Sequence, residues 1–180
     1  MRHLILIALL AAPAAAQDLT REVEGGTLNP QASGFGRVMR DVGEGRAGMT
    51  TCAAGYHITK AGRHEAARRL FELCAQAGYT GAMTWMGQLD DNGLGGPENP
   101  VAAAEWDRRA AEAGDPVGKF NSGLNLMRGR GVVQDEAAGR ALVDEAARDG
   151  LDDARRLQSA GYDLDEVTPD ADNWKYAPRF

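Results

Sequence analysis

The fold is decided by residues 99–135, which read NPVAAAEWDRRAAEAGDPVGKFNSGLNLMRGRGVVQD. Small and apolar residues of this stretch recur 36 positions earlier and 36 positions later in the chain. The recurring sets are Gly78, Gly114 and Gly150; Ala75, Ala111 and Ala147; Ala66, Ala102 and Ala138; and Leu70, Trp106 and Leu142. A period of this length is typical of repeat proteins, in which each unit buries its apolar face against its neighbours.

Helix boundaries in the repeats are marked by glycine, proline and short polar residues. The tripeptide Gly-Asp-Pro at 114–116 combines a glycine that ends one helix with an aspartate and a proline that begin the next. Asn-Pro at 99–100 and Asp135 predict two further helix starts, Thr80 predicts another cap, and Gly62 predicts a turn. These signals predict an all-α fold, a short α-solenoid of about three antiparallel helix pairs with a capping helix.

The recurring residues also predict the packing between helices. Leu70, Trp106 and Leu142 share one register, and we expect them to fill the space between layers, at about 1.5–3 kcal/mol each when fully buried. The recurring alanines let the second helix of each pair approach its neighbours closely. Such stacks generally need at least three repeats, and this chain supplies that number.

The two ends of the chain differ from the repeats. Residues 1–16 join a basic residue, an apolar run and a small-residue triplet, which predicts a secretory signal peptide cleaved after Ala16. Residues 17–46 predict a leader that allows a short capping helix, and residues 47–160 predict the repeat domain. Residues 161–180 predict an acidic tail without regular structure. Three aromatic residues near its end are expected to pack on the body or to reach a partner: Trp174, Tyr176 and Phe180.

Composition limits the classes of partner. Without residues 1–16 the chain has 164 residues, with 19 basic and 26 acidic side chains and a formal charge of −7. Nucleic-acid-binding domains usually have a pI above about 9 or a basic stripe, so we expect no nucleic-acid partner. The apolar run near the N-terminus is shorter than the roughly 20 residues of a membrane span. We therefore expect a periplasmic or secreted chain without a membrane span.

Two cysteines, Cys52 and Cys74, remain after the predicted cleavage. An even number in an exported chain predicts a disulfide. Their midpoint falls at the predicted turn near Gly62, so two antiparallel helices joined there would bring both cysteines to the same level. Closing this loop is expected to contribute about 3 kcal/mol. The alternative is a pair of separately buried thiols.

Two of the units resemble Sel1-like repeats, relatives of the tetratricopeptide repeat. The most specific string is Gly-Arg-Gly-Val-Val-Gln-Asp at 129–135, followed by the Ala-Ala-x-x-Gly helix end at 146–150. The first unit matches only in its second helix, and the resemblance covers about 47–160. It implies an α-solenoid whose concave face holds peptides or proteins, often in envelope assembly, signalling or secretion. Some exported, cysteine-rich members are connected with β-lactam-like ligands, but their cysteine spacing differs from that of Cys52 and Cys74.

The sequence predicts no catalytic centre, metal or cofactor. His64 and Glu65 begin like a zinc-protease motif, but Arg68 stands where the second histidine ligand is required. No serine lies in a Ser-x-x-Lys or Gly-x-Ser-x-Gly string. The Gly-x-Gly pairs at 93–95 and 129–131 lack the strand and further residues of phosphate loops. We therefore expect a protein that is not an enzyme.

The first helices of the pairs carry the predicted binding residues. Trp85 shares its register with the polar Asn121, which favours a position that faces a groove rather than the core. We expect five residues to line the concave face: Trp85, Gln88, Asn121, Asn125 and Arg128. Alanine at Trp85 or Asn121 should then change the melting temperature little, and a large loss of stability would place these two residues in the core instead. The predicted function is periplasmic protein or peptide binding without catalysis. The alternatives are a cell-wall fragment or small-ligand binder on the same groove and, with less support, a hydrolase; partner and oligomeric state stay open.

Overall fold

The computed structural model describes residues 34–166. The predicted signal peptide, most of the predicted leader, and Trp174, Tyr176 and Phe180 of the predicted tail lie outside the described residues. The predictions for those segments therefore stay predictions.

Residues 34–166 fold into eight α-helices and one short 3-10 helix, without a β-strand in this range. Three successive helix pairs, α2/α3, α4/α5 and α6/α7, follow α1 and precede α8. From α2 onwards each helix packs mainly on its neighbours along the chain, and α1 packs on both helices of the first pair. This arrangement confirms the predicted α-solenoid. Among these helices, each is too short or too polar to cross a lipid bilayer. The bounds are α1 Phe35–Gly43, α2 Met49–Lys60, α3 His64–Gln76, α4 Thr80–Asp91, α5 Pro100–Glu112, α6 Pro116–Arg128, α7 Glu136–Arg148, α8 Asp152–Ser159 and the 3-10 helix Leu164–Glu166.

Three predicted caps begin helices as expected. The side chain of Asn99 accepts a hydrogen bond from the Ala102 amide at 3.1 Å, and Asp115 and Asp135 cap α6 and α7 in the same way. The prediction for Thr80 is wrong, because Thr80 is the first residue of α4 and its side chain caps nothing. Its hydroxyl instead donates to Asp115 Oδ2 at 2.6 Å. Thr80 therefore joins the start of α4 to the start of α6.

The core forms two clusters of buried residues. The first lies among α2, α3, α4 and α5 and is covered on one side by α1, and the second lies among α6, α7 and α8. The predicted register is off by one residue in two repeats. Leu70 is fully buried, but Trp106 and Leu142 are half-buried, whereas Val143 has no exposed surface. The guanidinium of Arg109 lies 4.4 Å from the Trp106 ring centroid and covers that side chain from outside.

Cys52 and Cys74 form a disulfide that joins α2 to α3, with their Cα atoms 5.9 Å apart. The predicted pairing is therefore confirmed. Val38, Met39 and Val42 of α1 pack against the core cluster that contains Cys74. The first helix thus covers an end of the stack that has no preceding repeat, as terminal elements of solenoids must.

The second glycine of each Gly-x-Gly loop contacts the preceding repeat backbone to backbone. A Cβ atom on Gly131 would lie 2.0 Å from the Pro100 carbonyl oxygen, and one on Gly95 would lie 2.5 Å from the His64 carbonyl carbon. Both glycines have φ near +70°, a conformation that other residues rarely adopt. Since the loop residues and their partners are each 36 positions apart, the same contact recurs in two repeats. These positions therefore require glycine.

The chain closes with α8 and the 3-10 helix Leu164–Glu166. The prediction of no regular structure after residue 160 is therefore wrong for these three residues. The hydroxyl of Tyr162 donates to Asp144 on α7, and the Arg140 guanidinium lies 4.8 Å from the Tyr162 ring centroid. These contacts hold the turn after α8 against the last repeat.

Candidate functional site

A groove of about 970 Å³ runs along α2, α4 and α6, the first helices of the three pairs. Its lining combines aromatic, amide, hydroxyl and basic side chains. The residues that line it include Thr59, Lys60, His64, Thr84, Trp85, Gln88, Asn92, Val117 and Asn121. Three of the five predicted binding residues therefore lie in this groove: Trp85, Gln88 and Asn121.

Trp85, on the α4 side of the groove, belongs to an aromatic cluster. The Trp85 ring stacks on Phe71 with centroids 5.5 Å apart and an angle of 3° between the planes, and Tyr56 meets Trp85 edge-on at 5.9 Å. Trp85 is half-buried and packs against the first core cluster. The expectation that Trp85 contributes little to stability does not fit these contacts. This side chain belongs to the core through its stacked face and to the groove through its remaining surface.

On the α6 side, Asn121 of the groove contacts a buried carboxylate that lies outside the groove lining. Asp107 of α5 is only 6% exposed. Its Oδ1 accepts a hydrogen bond from Asn121 Nδ2 at 3.2 Å, and its Oδ2 accepts one from Asn125 Nδ2 at 2.9 Å. Both asparagines are on α6, so this network joins the second helix of one repeat to the first helix of the next.

A small cleft beside the groove gathers the remaining predicted residues around Asp107. The cleft is lined by Gly87, Gln88, Asp91, Asp107, Asn121, Leu124, Asn125, Arg128 and Arg130. Gln88 and Asn121 line both the cleft and the groove. The five residues chosen from the sequence therefore lie along one continuous surface, and their role in binding stays a prediction.

Burial is the largest influence on the pKa of Asp107 and raises it from 3.8 to about 7. The physical cause is the loss of water around the charged form. The hydrogen bonds from Asn121 and Asn125 act in the opposite direction, and the negative charge of Asp91 raises the pKa further. Asp107 therefore titrates near neutral pH.

Two arginines of the cleft have partners other than Asp107. Arg130 donates to Asp91 Oδ1 at 2.6 Å and to Glu98 Oε1 at 3.2 Å, and Arg128 donates to the Leu164 carbonyl oxygen at 3.5 Å. The pKa of Arg130 is raised, first by its hydrogen bond to Asp91. These contacts tie the loop after α6 to the end of α4.

Glycine at position 87 makes room for the buried carboxylate. A Cβ atom on Gly87 would lie 2.8 Å from Asp107 Oδ1 and 3.4 Å from the Ala103 carbonyl oxygen. The corresponding Gly123, one repeat later, faces Gly139 and Val143 of α7 at similar distances. The two helices of the second and third pairs therefore cross closely at this glycine, and of these two only the middle repeat places an acid there.

Sequence reasoning missed Asp107, although the repeat period contains the signal that identifies it. Phe71, Asp107 and Val143 occupy one register, and the first and last are buried apolar residues. The contact between Phe71 and Trp85 in the first repeat corresponds to the contact between Asp107 and Asn121 in the next. A charged residue in a register that is otherwise apolar marks a position that packing alone does not explain.

Within residues 34–166, no group of three or more histidine, cysteine, aspartate or glutamate side chains is placed to hold a metal ion. His64 begins α3, and its Nδ1 is buried without a hydrogen-bond partner. Glu65 is exposed, and Arg68 forms an ion pair with Asp90 at 2.5 Å.

Three solved structures share this architecture. A Sel1 repeat protein from Oxalobacter formigenes is 23% identical over 68% of this chain and 96% of its own, with a TM-score of 0.53. The cysteine rich protein B of Helicobacter pylori is 18% identical over 73% of this chain and 97% of its own, with a TM-score of 0.57. The third is c5321, described as a protective antigen present in uropathogenic Escherichia coli strains that displays the same repeat fold; it is 20% identical over 69% of this chain, with a TM-score of 0.50. The match spans 33% of that longer chain.

No model of a protein family and no curated protein matches this sequence. The likeness to the three structures therefore concerns the fold. It confirms that the chain has the fold of Sel1-like repeat proteins, as its glycine and alanine spacing predicts.

Proposed function

We propose that this chain, with its Sel1-like repeat fold, is a non-catalytic interaction module of the periplasm that binds a protein or peptide partner along α2, α4 and α6. The observation that carries the proposal is the groove itself. The first helices of three successive pairs line it over about 970 Å³, with Trp85 on α4 and Asn121 on α6. An extended surface with separate aromatic and polar parts suits a chain segment, which offers both kinds of group at intervals.

Trp85 gives the groove an aromatic side chain for contact with a partner. Tyrosine and tryptophan are the residue types enriched at the energetic centres of protein interfaces. Tyr56 is exposed and Trp85 is held in place by Phe71. A side chain that is already ordered loses little rotational freedom on binding. Trp85 is therefore suited to anchoring an apolar side chain of the partner.

The periplasmic location rests on two features. The predicted signal peptide at residues 1–16 has the order of charge, apolar run and small residues that directs export. The disulfide between Cys52 and Cys74 is typical of oxidising compartments such as the periplasm.

The sequence and the described residues offer no nucleophile with a paired base, which supports binding rather than hydrolysis.

A second candidate function is the binding of a small ligand or a cell-wall fragment. One observation favours it, a separate cavity of about 380 Å³ among α5, α6 and α7. Its mostly apolar walls carry a few charged groups, a combination and a size that small-molecule sites share. The lining residues include Ala104, Arg108, Ala111, Lys119, Leu126 and Leu142.

Photocrosslinking in periplasm tests the proposal. Gln88 is the position for the photoreactive residue, because its side chain is exposed and lines the groove, whereas Trp85 also packs on Phe71. The matched control carries the same residue at Val133, which is 89% exposed in the loop after α6 and does not line the groove.

Capture of a discrete protein from position 88 and not from position 133 would support the interaction module. Capture of peptidoglycan fragments at position 88, or of the same proteins from both positions, would contradict it. A lysozyme digest of the captured material, followed by mass spectrometry, separates the protein result from the glycan result.

A further inference from the structure

We infer that Asp107 orients the side-chain amides of Asn121 and Asn125 so that the cleft beside the groove accepts an arginine side chain of the partner. The inference rests on the proposed function and adds the chemistry of one contact to it. It follows from the hydrogen bonds of the two amides, the surroundings of the carboxylate and the spacing of the two asparagines.

The carboxylate decides which way each amide points. An ionised carboxylate only accepts hydrogen bonds, and the nitrogen of an asparagine amide only donates them. Asn121 and Asn125 therefore direct their Nδ2 atoms to Asp107, at 3.2 and 2.9 Å. Each Oδ1 must then point away from the carboxylate, on the other side of its amide group.

Both amide oxygens are available to a ligand. Within residues 34–166, no side chain or backbone group donates to Oδ1 of Asn121 or of Asn125. An oxygen without a donor is either buried and unsatisfied or exposed to solvent. Neither of these two oxygens is buried and unsatisfied, so each one reaches solvent. Because both asparagines line the cleft, its walls offer two hydrogen-bond acceptors from one helix.

The two acceptors match a forked donor. Residues four apart on a helix have side chains on the same face, with Cβ atoms about 5–6 Å apart. The planar guanidinium carries five N–H donors in a fixed fork, so it reaches two acceptors at this separation, whereas an ammonium group is a compact point charge. An arginine therefore suits Asn121 and Asn125 better than a lysine does.

The charge of Asp107 also lacks a cation. Among the described residues, the groups that donate hydrogen bonds to its carboxylate are the two amides. Arg130 is held by Asp91 and Glu98, so its charge is already balanced. A guanidinium bound to the two amide oxygens would lie just beyond them and would balance the carboxylate through the polarised amides.

Among the three repeats, the middle one supplies the carboxylate that orients the two amides. The same contact in the first repeat is the apolar stack of Phe71 and Trp85. A partner segment that lies along the groove would therefore meet an aromatic site at one repeat and a site for arginine at the next. The predicted partner has an apolar side chain and an arginine separated by about one helix spacing, roughly 8–10 Å.

Nuclear magnetic resonance of the full chain at pH 8 tests the inference with small probes. The probe is N-acetyl-arginine methylamide, and the matched probe is the citrulline derivative, which has nearly the same shape without the charge. The arginine derivative should shift the side-chain amide signals of Asn121 and Asn125 in a saturable way. Its binding should be at least about tenfold tighter than that of the citrulline derivative, as hydrogen bonds to charged groups imply.

Asp107→Asn removes the charge and forces one of the two amides to turn its nitrogen outward, since an asparagine donates as well as accepts. This variant should lose the preference for the arginine derivative. Asp152→Asn is the matched control because it removes the same charge from a side chain that is 93% exposed in α8. Its titration should equal that of the wild-type chain.

Asn125→Leu provides a second variant if Asp107→Asn does not fold. The equivalent position one repeat earlier is the buried Leu89, so leucine fits this register. It should weaken binding of the arginine derivative and leave Asn121 as the remaining acceptor. Equal binding of both derivatives, no saturable shift, an unchanged preference in Asp107→Asn, or unweakened binding of the arginine derivative in Asn125→Leu would overturn the inference.

The two proposals fail separately. A captured partner whose bound segment contains no arginine would overturn the inference and leave the proposed function intact. Binding of the arginine derivative to a chain that captures only glycan would support the cleft and contradict the interaction module.

Discussion

Replacing Asp107 with asparagine is expected to abolish a loss of stability that the wild-type chain shows between pH 5 and pH 8. In the folded chain, burial raises the pKa of Asp107 from 3.8 to about 7. The unfolded chain exposes this carboxyl to water, where its pKa returns to about 3.9. Between these two values the folded state holds a proton that the unfolded state has released, so the free energy of unfolding falls as pH rises.

The size of the effect follows from the shift. Each pKa unit corresponds to about 1.36 kcal/mol, so the whole shift of Asp107 corresponds to about 4 kcal/mol. The part of this change that falls between pH 5 and pH 8 is about 2.5 kcal/mol. Asp41 and Asp144 have lowered pKa values. Their stabilising contributions are lost only as pH falls below about 4, so they do not mask the effect of Asp107.

Urea unfolding followed by circular dichroism at pH 5, 6, 7 and 8 measures the free energy of unfolding. Asp107→Asn should show a flat profile across this range relative to the wild-type chain, because its side chain does not titrate. Asp152→Asn, on an exposed residue, should keep the wild-type slope. A wild-type profile that is flat between pH 5 and pH 8, or a slope that persists in Asp107→Asn, would refute the reasoning.

Three further predictions concern stability. Serine at both Cys52 and Cys74 should lower the free energy of unfolding by about 3 kcal/mol, and adding a reductant to that variant should change nothing. Gly131→Ala should cost about 3–4 kcal/mol in denaturant unfolding, since a positive φ and a clash with a backbone carbonyl act together; Gly114→Ala, with positive φ but open space, should cost only about 1–2 kcal/mol. Trp85→Ala should cost about 2 kcal/mol because its stacked face is lost, and an unchanged melting temperature would show that this residue serves the groove alone.

Much of the fold could be predicted because helix starts and ends depend on local chemistry. Asn99, Asp115 and Asp135 cap helices through hydrogen bonds to amides two or three residues away, so their identity is enough. Thr80 has the same capacity, but its hydroxyl bonds to Asp115, 35 residues away. A hydrogen bond between repeats therefore takes the place of a helix cap at Thr80. The residues near Thr80 in the sequence do not indicate this.

The burial register could be predicted only to within one residue. A period of 36 identifies positions that correspond, but it does not determine which of two adjacent positions faces the neighbouring layer. Trp106 was expected in the core from its partners at 70 and 142, whereas full burial follows the register of Phe71 and Val143. In the middle repeat that register is occupied by Asp107, and its polar character hid the pattern.

The candidate site was predictable in its location and not in its organisation. The polar residues predicted on the first helices lie along one surface, Gln88, Asn121 and Asn125 among them, and the binding role of that surface stays a prediction. The carboxylate that orients the two asparagines comes from the second helix of the middle pair. Assigning it requires the packing between helices, which depends on the small residue at Gly87 and on the close crossing that this glycine permits.

The backbone contacts of Gly95 and Gly131 also bear on how a protein of this kind can change in length. Each glycine contacts a residue 31 positions earlier, at the start of the second helix of the preceding pair. Duplication or deletion of 36 consecutive residues preserves that offset, whereas an insertion of a few residues between the two contact points breaks it. Gene duplication can therefore lengthen the array in whole units, and each new unit adds one helix to the groove, about 8–10 Å of surface, with the junction between units already complementary.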